Sequence, residues 1–211
     1  MPIIDSLHPV VRRQALLLQS ETKRRFGINI KFTQALRTEL VQYALWCKGR
    51  LPLPDVNSAM KIAGLGFISE SENKIVTKAK SAATSFHGYG LAFDIVIVLA
   101  NGRTITYDLD ADTNSDGITD WDQIGELGEE LGLEWGGNFS SISDKPHFQN
   151  RLGYTIARLR SLSVPVGVVL ALPAAIQQRP EYLSDDGAPA TPKERPSVPS
   201  SVQTTDPSAY K

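Results

Sequence analysis

The sequence predicts an α+β fold in which a small, mainly antiparallel sheet is flanked by helices. Three observations predict it: a helical stripe near the amino end, two strand-like runs around an Asn101-Gly102 turn, and an acidic helix bounded by a cap and a glycine. In residues 8–26, Val11, Ala15, Leu18 and Thr22 recur at helical spacing beside the charged Arg12, Arg13, Lys23 and Arg24. Residues 28–33 read as a short strand. A second helix is expected over 38–48, closed by Gly49 and followed by a loop at Pro52 and Pro54. Trp46 and Cys47 on that helix read as packing residues, free cysteine being among the most buried residue types. Residues 55–84 read as a helix-to-loop region. The run 92–99 (AFDIVIVL) is the most strand-like, and Asn-Gly before a second run at 104–109 is a strong hairpin signal. An Asp-rich loop then leads to a helix over 121–131, started by Asp120 and Gln123 at capping-box spacing and ended by Gly132. Residues 135–148 read as a loop entering a short strand, and 154–162 as a last helix.

With 211 residues, 41% hydrophobic and 21% charged, the composition is that of a globular chain. The length suits one domain of about 100–200 residues plus an appendage. Residues 1–162 are expected to form that domain, 163–176 an apolar extension, and 177–211 a Pro-, Ser- and Thr-rich disordered tail. The extension holds Pro165 and Pro173 and falls short of the ~20 apolar residues a bilayer-spanning helix needs, so no transmembrane span is expected. The amino end has no basic start followed by an apolar run; no secretory signal is read, and synthesis in a cytoplasm is expected.

Cys47 is the single cysteine, which excludes an intramolecular disulfide and a thiolate-rich zinc site. Any metal must therefore sit on His, Asp or Glu. The formal charge of -1 lacks the basic footprint of a nucleic-acid binder. Its distribution is uneven. Residues 1–50 carry nine Lys and Arg against three acids, and residues 104–134 none against ten.

The three histidines divide clearly. His8, before Pro9 and without an acidic or Cys neighbour, is expected to be solvated. His87 lies in SFHGYGLAFD, ahead of Asp94, which falls inside an apolar strand. A charge there is costly to bury unless it is paired or bound to a metal. His147 lies in SDKPHFQ after Asp144 and Pro146. His87, Asp94 and His147 would supply three zinc ligands and leave a fourth position for water, with Asp144 available as a general base. Spacing alone leaves two unrelated histidines as the alternative. The acidic loop adds a second metal question. Asp112, Asn114, Asp116, Ile118 and Asp120 fall at calcium-loop positions, but Gln123 stands where a bidentate Glu belongs, so a calcium site and a solvated loop both stay open.

These residues carry a family resemblance. The chain resembles the zinc metallopeptidases of the D-Ala-D-Ala carboxypeptidase group, and most of all the phage L-alanyl-D-glutamate endopeptidases used as endolysins. SxHxxGxAxD is matched by Ser85, His87, Gly90, Ala92 and Asp94. A Trp-Gly-Gly stretch leading to Asp-x-Pro-His-Phe is matched by Trp135, Gly136, Gly137, Asp144, Pro146, His147 and Phe148. Upstream, Arg37, Gln42, Leu45, Gly49 and Arg50 resemble the family's Arg-containing segment, and IVTKA the stretch before the first motif. The resemblance covers roughly residues 5–160 and does not reach the tail.

The resemblance implies a hedgehog/D,D-peptidase-like zinc peptidase fold and one zinc ion on His87, Asp94 and His147. It implies that Asp144 is the proton-transferring base and that Arg37 stabilises the oxyanion. Ser85 and Trp135 would contact substrate, with a local turn cap and core packing as their respective alternatives. The expected reaction is hydrolysis of the L-Ala-D-Glu bond of the peptidoglycan stem peptide by a monomeric phage or prophage endolysin, released from the host cytoplasm to act on the wall. The alternatives are a D-Ala-D-Ala carboxypeptidase, a secreted antibacterial effector with the same domain, and a non-catalytic zinc-fold binding module.

Overall fold

Helix α1 (Pro9–Phe26) forms where the apolar stripe predicts it, burying Val11, Ala15, Leu18 and Thr22, and Gln14 with them. Pro9 opens it, where a missing N–H is harmless, and Gly27 at φ +74° ends it. His8 is not solvated. It caps α1 by accepting from Val10 N–H at Nδ1, is 1% exposed, and burial lowers its pKa. The structure, a computed structural model, describes residues 3–140 and 143–167. The expected tail and residues 168–176 of the extension lie outside them. Val164 and Val166, at the start of the extension, pack on the main core.

The sheet is built on β2 (Ala92–Val98), the apolar run of the sequence. Strand β1 (Asn29–Gln34) pairs antiparallel along one edge of β2, with a register shift between Phe32 and Gln34. On the other edge lie β5 (His147–Gln149) and the two-residue β3 (Ile105–Thr106), and β4 (Glu134–Trp135) completes the order β1-β2-β5-β4. The Asn101-Gly102 hairpin is present, with Gly102 at φ +68° and the Asn101 carboxamide accepting from Arg103 and Thr104 N–H. Its second strand is shorter than expected, stopping where Asp108 and Asp110 enter.

Helix α2 (Glu39–Cys47) matches its prediction, with Thr38 as N-cap. The expected Pro loop is instead the start of α3 (Leu53–Ile62), with Pro54 in the first turn where no N–H is required. Cys47 packs between these helices with Ala44, Val56 and Met60. Helix α4 (Asp120–Glu130) is capped by Thr119, which accepts from Asp122 N–H, and not by Asp120. Asp120 is buried and takes Thr113 N–H at 3.0 Å and its hydroxyl at 2.7 Å. The short α5 (Ile156–Ser161) closes the described chain.

The main core joins α1, β1, β2, α4 and α5 through Leu18, Ile30, Phe93, Ile95, Trp121, Ile124 and Leu159. Packing of α4 on the sheet depends on two glycines. A Cβ at Gly125 would stand 2.3 Å from the Trp135 ring, and one at Gly128 2.4 Å from Phe148. The two opposite charge segments meet between α1 and α4, where Arg25 pairs with Glu130 at 2.7 Å. Among the described residues no helix is long and apolar enough to cross a membrane.

Candidate metal centre

Each of the three expected ligands is placed by a different element. His87 sits on a 3-10 turn, Phe86–Tyr89, opened by Ser85, whose hydroxyl accepts from His87 N–H, and ended by Gly90 at φ +67°. Gly88 is required there, since a Cβ would lie 2.1 Å from the Ala82 carbonyl oxygen. Asp94 lies on β2, and His147 stands directly opposite it on β5. Gln34 of β1 is opposite Asp94 on the other edge.

The three side chains converge. His87 Nε2 is 3.1 Å from His147 Nδ1 and 3.2 Å from Asp94 Oδ1, and His147 Nδ1 is 3.1 Å from Asp94 Oδ1. Tetrahedral zinc with bonds of 2.0–2.1 Å sets its ligand atoms about 3.3 Å apart, so this triangle fits zinc with little adjustment. The other ring nitrogens are engaged. His87 Nδ1 donates to the Ala35 carbonyl at 2.7 Å, and His147 Nε2 lies 3.1 Å from Gln149 Oε1. Outward N–H bonds of this kind leave the inward lone pairs for a metal.

The electrostatics suit a cation. Burial drives the His87 pKa down to about 4, which keeps the ring neutral. Burial by itself raises the Asp94 carboxyl, but His87, Arg37 and His147 outweigh it and hold the group well below the usual carboxylate range. For His147 burial lowers the pKa, and the hydrogen bond and charge of Asp94 reverse this and raise it.

Arg37 follows β1 and is aimed into the group. Its guanidinium pairs with Asp94 Oδ2 and Gln34 Oε1, and its backbone N–H donates to the His87 carbonyl at 3.0 Å. Gln42 reaches Arg37 and ties α2 to the Ala79 carbonyl. Asp144 is held near His147 by the backbone: its carbonyl accepts His147 N–H at 3.0 Å, and its N–H donates to the Gly136 carbonyl at 2.9 Å. Burial, reinforced by the charge of Asp94, raises its pKa. The Trp-Gly-Gly motif acts here through contact distance. A Cβ on Gly136 would meet the Asp144 carbonyl at 2.4 Å and the His147 Cβ at 2.9 Å.

Two expected substrate contacts read differently in the structure. Trp135 is in the main core, and its indole N–H donates to the Lys145 carbonyl at 2.8 Å, so it braces the approach to His147. Ser85 is the turn cap already described. The acidic loop gives calcium no support. Asp112 accepts Asp116 and Gly117 N–H, Asp116 accepts Ile118 N–H, and Asn114 donates to Asp116, so these side chains serve the loop's own backbone and one another. With Asp120 turned to Thr113, Ile118 and its neighbours do not form a metal group, whereas His87, Asp94 and His147 do among the described residues. Gln34, Gln149 and the Ala35 carbonyl were not foreseen. Only the i, i+2 spacing of His147 and Gln149 on one strand face signals any of them.

Asp94 and His147 on adjacent strands, with His87 on the turn beside them, form a three-residue group able to hold a metal ion. A family model described as D-alanyl-D-alanine carboxypeptidase matches residues 78–150. The chain is 30% identical over 149 residues to the peptidoglycan L-alanyl-D-glutamate endopeptidase CwlK of Bacillus subtilis (strain 168), covering 71% of this chain and 76% of that protein. The crystal structure of Serratia marcescens L-Ala D-Glu endopeptidase ChiX is similar with a TM-score of 0.42 and 21% identity, over 70% of this chain and 82% of that one. The chain belongs to the D-alanyl-D-alanine carboxypeptidase family of zinc-dependent peptidases and is an enzyme of that class.

Proposed function

We propose that this enzyme hydrolyses the L-Ala-D-Glu amide of the peptidoglycan stem peptide, with His87, Asp94 and His147 holding one zinc ion. The observation that carries the metal reading is the 3.1–3.2 Å triangle of their inward atoms. The similarity to CwlK, itself named for this bond, supports the substrate. When bound, zinc supplies a Lewis acid for the scissile carbonyl and makes water more acidic.

The protein's own groups do the rest. Asp144, three residues before His147 with a raised pKa, takes the proton of the attacking water and passes it to the departing D-Glu nitrogen. Arg37, anchored by Gln34, places positive charge where the carbonyl oxygen becomes negative. A lytic role as an endolysin, acting on the wall after leaving the cytoplasm, is part of the proposal and rests on the sequence resemblance.

A second reading has its own observation: the family model over residues 78–150 is described as a D-alanyl-D-alanine carboxypeptidase. Digestion of purified peptidoglycan with mass analysis of the products separates the two. New amino-terminal D-Glu is expected; release of single alanines would establish the carboxypeptidase instead.

A further inference from the structure

His147 has two ring nitrogens, and only a neutral ring protonated at Nε2 offers its Nδ1 lone pair to the group formed with Asp94 and His87. We propose that Gln149 and Glu134, backed by Arg151, form a positioning chain that fixes His147 in this tautomer. The inference rests on the zinc site proposed above. Strand β5 is three residues long and does two jobs. Its register sets His147 opposite Asp94, and two residues on, Gln149 opposite Glu134 of β4. His147 and Gln149 share a strand face, and Gln149 Oε1 lies 3.1 Å from His147 Nε2.

A carboxamide can turn either end toward an imidazole. If the amino end faced His147, Nε2 would have to accept, the proton would move to Nδ1, and no lone pair would remain for a metal. The far end of Gln149 prevents this. Its Nε2 donates to Glu134 Oε2 at 2.9 Å. An ionised carboxylate only accepts, so it takes the amino end and leaves the oxygen for His147. Arg151 donates to the same Glu134 oxygen from Nε at 2.8 Å and from its terminal nitrogen at 2.6 Å, which fixes the carboxylate beside Gln149. The chain runs from a buried ring through a buried amide to a half-exposed ion pair, with Glu134 39% and Arg151 49% exposed. Glu134 and Gln149 flank the Trp-Gly-Gly to His-Phe motif and lie just outside it.

The test compares E134A and Q149L with the wild-type enzyme. Zinc affinity is measured by competition with a chromophoric chelator, and exchange of the His147 Nε2 proton with solvent by NMR of the 15N-labelled, zinc-loaded protein. Glu134 is half-exposed, so E134A is expected to fold, which circular dichroism checks; Q149L removes the acceptor itself at nearly constant shape. Both variants should bind zinc about 10–100-fold more weakly. The Nε2 proton, protected in the wild type, should exchange faster in both. Wild-type affinity in both variants overturns the positioning chain, and so does lost affinity with the proton still protected. A wild-type protein that does not bind zinc overturns the proposed function instead, so the two failures are distinguishable.

Discussion

Asp94 and His147 stand directly opposite each other on adjacent antiparallel strands, with Asp94 Oδ1 3.1 Å from His147 Nδ1. Two residues 53 apart in sequence thus become one half of a metal site through strand register. Asp94 also holds Arg37, whose side chain is 11% exposed. Asp94→Ala should therefore abolish zinc binding and leave a buried guanidinium without its carboxylate. Breaking such a pair from one side costs about 3–5 kcal/mol. Denaturant melts and metal content of the purified variant check both effects, and unchanged stability would show that Arg37 finds water.

Asp144 should set the acid limb of activity. As a base it must be ionised, and burial and Asp94 raise its pKa above 3.8. Activity is therefore expected to fall as pH drops through a value higher than that of an ordinary aspartate. Asp144→Asn should lose about 100-fold or more in kcat while keeping its zinc. A pH profile of kcat/KM on peptidoglycan fragments tests the sign; an acid limb at or below 3.8 would contradict it.

Removing the Arg37 guanidinium should separate binding from rate. Arg37→Lys keeps a charge but loses the fork that reaches Gln34 and Asp94 together. Loss of an oxyanion-stabilising donor typically lowers kcat by about 100-fold or more. Zinc content should stay at the wild-type level. A purely KM effect would move Arg37 to substrate binding.

Gly136→Ala is a test of spacing alone. The added methyl would stand 2.4 Å from the Asp144 carbonyl and force the base and His147 apart. A shift of about 1 Å in such groups can cost on the order of 100-fold in rate. Gly137→Ala should instead strike the Trp135 ring, at 2.3 Å, and chiefly lower the melting temperature. Paired kinetics and thermal melts distinguish the two.

Chelation should inactivate the enzyme while leaving it folded, because the main core of α1, β1, β2 and α4 closes without the His-Asp-His group. Zinc in excess should restore activity and raise the melting temperature, by about 2.7 kcal/mol of stabilisation at a hundredfold excess over Kd. Loss of helical circular dichroism on chelation would show that zinc is needed for the fold itself. Cys47, packed between α2 and α3, should leave activity insensitive to thiol reagents under native conditions.

Local structure was legible in the amino-acid order alone. The stripe Val11, Ala15, Leu18 and Thr22 sufficed for α1, the AFDIVIVL run for the central strand, and Asn101-Gly102 for the hairpin, because each depends on side-chain period or turn chemistry within a few residues. For His87, Asp94 and His147 the spacing alone left two unrelated histidines open, and it is their convergence in space that makes them one metal group. Tertiary structure decided what faces what. It turned His8 from a solvated side chain into a buried cap, placed Trp135 in the core, and gave the Asp120 carboxylate to Thr113 and the cap of α4 to Thr119. It also set Gln34 opposite Asp94, Gln149 beside His147 and Glu134 opposite Gln149 through strand register, which no local pattern encodes. The physical reason is that register and close approach, as at Gly136 and Gly125, are settled by the packing of distant segments against one another.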